Sequence, residues 1–169
     1  MRVSQRGIDL IKQFESLHDG DLGQIGLQPK MCPAQIWTEG WGRAMTINGQ
    51  FIKGANNRAL AFSRATINTP EKAEKALAED LQVFGRRVLR SLTVPVSQHQ
   101  FDALVSHTYN TGGSNRLFQL VNRRAPASEI RSWFETRYIT GGGVRLQGLV
   151  RRRKAEADLF FSQPWPHVA

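Results

Sequence analysis

The placement of chain breakers is the feature that most limits what this sequence can build. Glycine, proline and asparagine recur through the stretch before Thr69, then thin out, so the chain divides into a short mixed N-terminal part and a long helical remainder. Ser4 can cap a first helix, 4–15, whose Ile8, Ile11 and Phe14 fall at near-helical spacing, with Glu15 at its C-terminal end. From His18 to about Lys30 the run DGDLGQIGLQPK is rich in turn formers and reads as an irregular ribbon. IWTEGWG then has the β-branched and aromatic content of a strand, and TINGQF sets Asn48 and Gly49 as a two-residue hairpin turn. Thr69 followed by Pro70 opens the longest helix, with Ala73, Leu77, Leu81, Phe84 and Val88 along one face. Val94-Pro95 breaks it, and Ser97 to Gln100 has the form of a capping box, opening a helix that ends near Gly112. One further helix is expected from near Ser128, and a last one from about Leu149 to Phe161, after the glycines Gly141 to Gly143. No internal repeat interrupts this order. The expected class is α+β, in one domain: a small antiparallel β-containing lobe at about 15–68, a long connecting helix at about 69–92, and a helical lobe at about 93–169 on which the first helix packs.

A chain of 169 residues is long enough to bury a working core. Its single cysteine, Cys32, excludes an intrachain disulfide and supplies too few thiols for a structural zinc site, so packing must supply the stability. No metal and no cofactor are expected. Arg2, Arg6, Asp9 and Lys12 interrupt the apolar positions of MRVSQRGIDLIKQF, which therefore reads as neither a signal peptide nor a membrane span. The expectation is a protein made soluble in the cytoplasm, without stable membrane insertion. A formal charge of +9 and a pI near 10.6 imply attraction to polyanions: nucleic acid, anionic lipid, or the acidic groups of a bacterial envelope.

Glu15 is the first candidate for chemistry. The partial negative charge of a helix C-terminus and partial burial both favour the protonated carboxyl that a general acid needs. A solvated helix end is the competing reading of the same residue.

The succession LIKQFE, CPAQIWTEGWG, YNTGG and GGGVRLQGLVRRRKAEADLF, in order and approximate distance, resembles the phage-type lysozymes (endolysins), glycoside hydrolase family 24, over nearly the whole chain. The resemblance implies a lysozyme-like fold and cleavage of the β-1,4 bonds between N-acetylmuramic acid and N-acetylglucosamine in peptidoglycan, for host cell lysis. It implies a site made of a glutamate at the end of the first helix, an aspartate or sometimes a cysteine in the following ribbon, and a threonine six positions further. Glu15, Cys32 and Thr38 match these three. Two departures stand out. An insertion covering roughly His18 to Gln28 lengthens the ribbon, and the family's GYGH string appears as Gly40-Trp41-Gly42-Arg43, with Glu39 where an apolar residue is common.

The mechanism requires a proton donor for the leaving oxygen and a second group that activates water or stabilises the oxocarbenium-like centre. Glu15 is the expected donor. Cys32 can act as base or nucleophile, or be a buried small hydrophobe, and Asp19 and Asp21 are rival second groups. Trp41 either lines a sugar groove or packs in the small lobe's core. Asn110 either bonds a sugar or ends its helix. In the run Arg151, Arg152, Arg153, Lys154, four consecutive helical residues point around most of the circumference. The resemblance brings one arginine, taken as Arg152, to the substrate side near the glutamate, with the rest solvated or facing an anionic surface.

Two other classes remain open at this level. A basic helical nucleic-acid-binding protein fits the charge and VRRRK, but no zinc-finger spacing, no basic region with heptads and no RNP-like string accompanies them. An inactive wall-binding relative would keep the fold without the chemistry. The expected partner is bacterial peptidoglycan and not nucleic acid. A monomer is expected, held in the host cytoplasm before lysis and released by a separate pore-forming, holin-like protein.

Overall fold

The structure, a computed structural model, describes residues 1–165; the last four positions of the expected helical lobe lie outside the described residues. The chain forms two compact units, one of Glu15–Asp80 and one of Met1–Phe14 with the chain from Leu81 on. The division falls inside a single helix.

The unit of Glu15–Asp80 carries the strands. Strands β1 (Lys30–Met31), β2 (Trp37–Glu39) and β3 (Arg43–Ala44) form an antiparallel sheet in the order β1-β2-β3, with Lys30 opposite Thr38, Met31 opposite Trp37 and Glu39 opposite Arg43. A separate hairpin pairs β4 (Thr46–Ile47) with β5 (Gln50–Phe51). Its loop residues Asn48 and Gly49 have φ of 50° and 78°, the positive pair that lets a two-residue turn follow the right-handed twist of the strands. Trp37, Met45 and Ile52 bury under this layer against Ala61 of α2 (Arg58–Arg64), with Phe62 meeting the Trp37 ring edge-on at 6.0 Å. A second cluster joins Ile67, Ala73 and Ala76 to Leu17, Leu27 and Trp41.

The segment 18–28 is tied at its ends. His18 N–H donates to the Gly40 carbonyl at 2.8 Å, Gly20 N–H to Gln28 at 3.1 Å and Leu27 N–H to Asn68 at 2.9 Å. Between these anchors Leu22 and Ile25 project into solvent.

The other unit is helical. It comprises α1 (Gln5–Phe14), the C-terminal part of α3 (Pro70–Ser91), then α4 (Gln98–Thr111), α5 (Asn115–Asn122), α6 (Ala127–Thr136), a β6–β7 hairpin (Thr140–Gly141 with Val144–Arg145) and α7 (Gln147–Phe160). The boundary signals act as expected. Thr69 Oγ1 accepts from Lys72 N–H at 3.3 Å at the start of α3, both halves of the Ser97/Gln100 capping box are formed, and Gly112, with φ of 80°, closes α4 in the left-handed conformation. Helix α4 is buried continuously from His99 to Thr108, the pattern of a helix enclosed on all sides, and α1, α6 and α7 belong to the same packed group. Contact between α1 and α4 depends on Gly7, because a β-carbon there would lie 2.7 Å from Val3 Cγ1 and 2.8 Å from Asp102 Cβ. Asp102 also accepts from the Ser4 backbone N–H at 3.0 Å and from its hydroxyl, fixing the start of α1.

Four elements depart from the sequence reading. Helix α1 ends one residue before Glu15, and α2, α5 and the β6–β7 hairpin were not anticipated. Helix α2 fully buries only Ala61, which leaves no apolar stripe to read, while α5 buries two adjacent pairs, Leu117–Phe118 and Leu120–Val121, in only eight residues.

Candidate active site

Glu15 is the first residue beyond α1 and belongs to the strand-bearing unit. Its carboxylate lies on the Gly40-Trp41-Gly42 turn between β2 and β3: a β-carbon on Gly42 would be 2.9 Å from Glu15 Oε2. Gly42 also has a φ of 89°, so both the backbone conformation and the space require glycine there. The bond from His18 N–H to Gly40 draws the ribbon after Glu15 onto the same turn.

Cys32 follows β1 directly. Its N–H donates to the Ile36 carbonyl at 2.8 Å, and its carbonyl accepts from Gln35 N–H at 2.9 Å. Because Lys30 pairs with Thr38 and Met31 with Trp37, alternation along the ladder puts residues 30, 32, 36 and 38 on one side and 31 and 37 on the other. The spacing of six thus brings Cys32 and Thr38 to one face of the β1–β2 hairpin, opposite the face that Trp37 buries. Cys32 is a half-buried free thiol. Thr38 is buried, and its hydroxyl donates to the Lys30 carbonyl at 2.8 Å, so toward any further group it acts as an acceptor.

The two rival carboxylates differ in their surroundings. Asp21 accepts from Gly23 N–H at 3.1 Å and the Gln24 amide at 2.8 Å, and pairs with Arg58 at 3.2 Å, so turn geometry and an ion pair occupy it. Asp19 Oδ1 is buried with no hydrogen-bond partner. His18 is also partly buried. That burial, with Lys30 nearby, lowers its pKa below the ordinary histidine range.

Trp41 packs its ring against the Ile67, Ala73 and Ala76 cluster and donates its indole N–H to Glu74 at 2.9 Å, which makes it a half-buried member of this unit's core. Arg43 grips α3: Nε donates to Asp80 at 3.0 Å, and Nη2 donates to the Ala76 carbonyl at 2.6 Å and lies 3.2 Å from Glu79. Burial pulls its pKa down, but the two carboxylates outweigh this and hold it above the ordinary value. Glu39 is buried and accepts from Thr66 N–H at 2.8 Å, Thr66 Oγ1 at 3.0 Å and Ile67 N–H at 2.9 Å, so its charge is met by three donors.

In the helical unit the basic run corrects an expectation. Arg151 and Lys154 are exposed, but Arg152 and Arg153 are buried around an equally buried Glu156. Arg152 Nε lies 3.2 Å and Arg153 Nε 2.9 Å from the Glu156 carboxylate, and Ser106 Oγ donates to it at 2.8 Å. Burial pushes the Glu156 pKa up, while the two guanidiniums and the hydroxyl oppose it. Arg152, expected as a substrate contact, is only 2% exposed. It stands over the Phe14 ring, 5.8 Å from its centre, against the residue that precedes Glu15. Asn110 is exposed and accepts from Arg153 Nη2 at 3.0 Å.

Sequence reasoning did not find the Gly42 contact, the Ser106–Glu156 network, or His107. The His107 ring is wholly buried among Trp133, Phe134 and Tyr138, with ring centres 5.3, 5.7 and 5.4 Å away. Burial, helped by Arg153 and Arg152, lowers its pKa to about 3. A Glu three or four residues after two arginines on one helix is a readable signal for the network; nothing local marks the other two. Among the described residues no group of three or more His, Cys, Asp or Glu is placed to hold a metal ion, and no helix is long and apolar enough to cross a membrane.

Glu15, at the end of the first helix, is thus set on a glycine turn and followed by a three-stranded antiparallel sheet. The family model for phage lysozyme matches residues 22–156, and the chain belongs to that family. It is 34% identical to an endolysin of Bacillus phage PZA over 96% of its own length and 56% of the relative's, so the chain spans little more than half of that protein. It is 29% identical to an endolysin of Acyrthosiphon pisum secondary endosymbiont phage 1, covering 96% of this chain and 99% of that one. Among solved structures, the endolysin from Escherichia coli O157:H7 phage FAHEc1 superposes with a TM-score of 0.64 at 29% identity, covering 98% and 97% of the two chains.

Proposed function

We propose that this chain is an endolysin that hydrolyses the β-1,4 glycosidic bonds between N-acetylmuramic acid and N-acetylglucosamine in peptidoglycan, with Glu15 as general acid. The observation that carries the reading is the position of Glu15 on the Gly42 turn in a chain of the phage lysozyme family. Relatives called endolysins support the biological role. In the proposed step, protonated Glu15 gives its proton to the departing glycosidic oxygen as positive charge develops at the anomeric carbon. The second group answers that charge or takes a proton from water. Cys32 is our choice, with Thr38, on the same face of the hairpin, accepting from the water. Asp19 ranks above Asp21 as the alternative, since Asp21 is engaged by Arg58.

The remaining parts of the reading follow from the chemistry of lysis. The enzyme acts as a monomer, waits in the host cytoplasm, and reaches the wall through a lesion made by a separate pore-forming protein. Neither a nucleic-acid-binding role nor an inactive wall-binding role is favoured by any feature of the site.

The test is the fall in turbidity of chloroform-treated Gram-negative cells with the parent and with Glu15→Gln. The amide keeps the shape but has no proton to give, so a folded variant should lose about two to four orders of magnitude in rate. Activity within about threefold of the parent would move the acid elsewhere. Mass analysis of the released muropeptides should show reducing ends; anhydro-muramic ends would replace hydrolysis by transglycosylation.

A further inference from the structure

Asn110 lies in the last turn of α4, but Gly112 closes that helix, so the asparagine does not act as its cap. Its side-chain oxygen instead accepts from Arg153 Nη2 at 3.0 Å. A guanidinium carries donors only, and it can therefore face the oxygen of an amide and never the NH2 group. The Asn110 amide is held one way round, oxygen inward and its two N–H donors outward. Arg153 is itself fixed. It is 0% exposed; its Nη2 donates to Glu156 at 2.9 Å, its Nε lies 2.9 Å from the same carboxylate as an ion pair, and that carboxylate also accepts from Ser106 at 2.8 Å. A chain of buried polar groups thus runs from Ser106 through Glu156 and Arg153 to an exposed amide whose direction it sets.

We infer that Arg153 is a positioning residue for substrate recognition, locking the Asn110 amide so that its NH2 group is offered to a hydroxyl or acetamido oxygen of the glycan. This inference rests on the peptidoglycan-hydrolase reading above. An unrestrained terminal amide presents donor and acceptor in turn and must be ordered on binding; a locked one has lost that freedom beforehand.

Steady-state kinetics of the full chain on soluble glycan strands, with Asn110→Asp, Arg153→Lys and the double variant, test it. Asn110→Asp preserves shape and the acceptor for Arg153 but removes the outward donor. It should raise KM about threefold to tenfold, the worth of one ordinary hydrogen bond, with kcat within about twofold. Arg153→Lys keeps a charge for Glu156 but not the rigid fork, and should raise KM in the same direction. The double variant should be no worse than Asn110→Asp alone, because both changes remove one interaction. Additive effects, or a fall in kcat without a rise in KM, would overturn the assignment. Should Arg153→Lys fail to fold in a melting experiment, Asn110→Asp and Asn110→Leu carry the test, and parent-like KM in both overturns it. Should the parent prove inactive, the hydrolase reading falls separately. Calorimetry with chitotetraose then reads the same donor: weaker binding of about threefold or more in Asn110→Asp upholds the lock, and equal binding overturns it.

Discussion

At the scale of the residue, the site is defined as much by what Gly42 lacks as by what Glu15 carries. A methyl group at position 42 would meet Glu15 Oε2 at 2.9 Å and would also strain a backbone with φ of 89°. Gly42→Ala should therefore push the carboxylate off its turn and cut lysis by at least tenfold. Stability should fall by only about 1–2 kcal/mol from the left-handed backbone. Retention of parent activity in a turbidity assay would mean that the Glu15 position is not the one used. Cys32 gives a test of rank order. If it answers charge in the site, Cys32→Ala should lose activity strongly and Cys32→Asp should keep much of it. A merely packed thiol would reverse the order, with alanine mild and aspartate destabilising because it buries a charge. An active Cys32→Ala would shift the second role to Asp19.

At the scale of the element, helix α1 carries Glu15 on its end and depends on close approach to α4. Gly7→Ala places a β-carbon 2.8 Å from Asp102 Cβ, so the gain of up to about 1 kcal/mol in helix propensity should be outweighed by overpacking of roughly 1–3 kcal/mol. The melting temperature should fall, and an unchanged one would show that α1 yields freely. Helix α7 divides its basic run by depth. Arg152 and Arg153 serve a buried carboxylate, leaving Arg151 and Lys154 for the surface. Reversing the charge of those two should lower binding to whole sacculi and flatten the dependence on salt, which screens exposed charges beyond about 8 Å at physiological ionic strength. An unchanged salt profile would mean that α7 presents only a solvated face.

At the scale of the whole molecule, the buried charges and His107 make stability depend on pH. The folded state holds His107 neutral with a pKa of about 3, whereas the unfolded chain returns it to the ordinary value of 6.5. Its contribution is complete above pH 6.5 and is lost as pH falls from 6.5 toward 3, because the unfolded state alone takes up the proton. Between pH 6.5 and 5 this amounts to about 1.5 kcal/mol. Denaturant unfolding at the two pH values should show that loss, and His107→Phe, which fits the aromatic surroundings, should remove most of it. An acid limb equally steep in the variant would assign the effect to the carboxylates instead.

What was legible in the sequence was legible because its physics is local. The capping box of Ser97 and Gln100, the Thr69-Pro70 start and the Asn48-Gly49 turn each depend on residues within a few positions, where the helical or strand period sets geometry directly. Glu15 could be proposed only from the resemblance, since its local signal, a glutamate after an amphipathic run, also fits a solvated helix end. What only the tertiary structure decided lies between residues far apart in the chain. Gly42 under Glu15, Arg58 on Asp21, Glu39 on Thr66 and Arg153 on Asn110 are pairings across 27 to 43 positions. No period relates such residues. Whether an acid or an arginine ends in solvent or in a buried network is settled by which segment returns against it, and a charge can remain buried only where the returning chain supplies its partner.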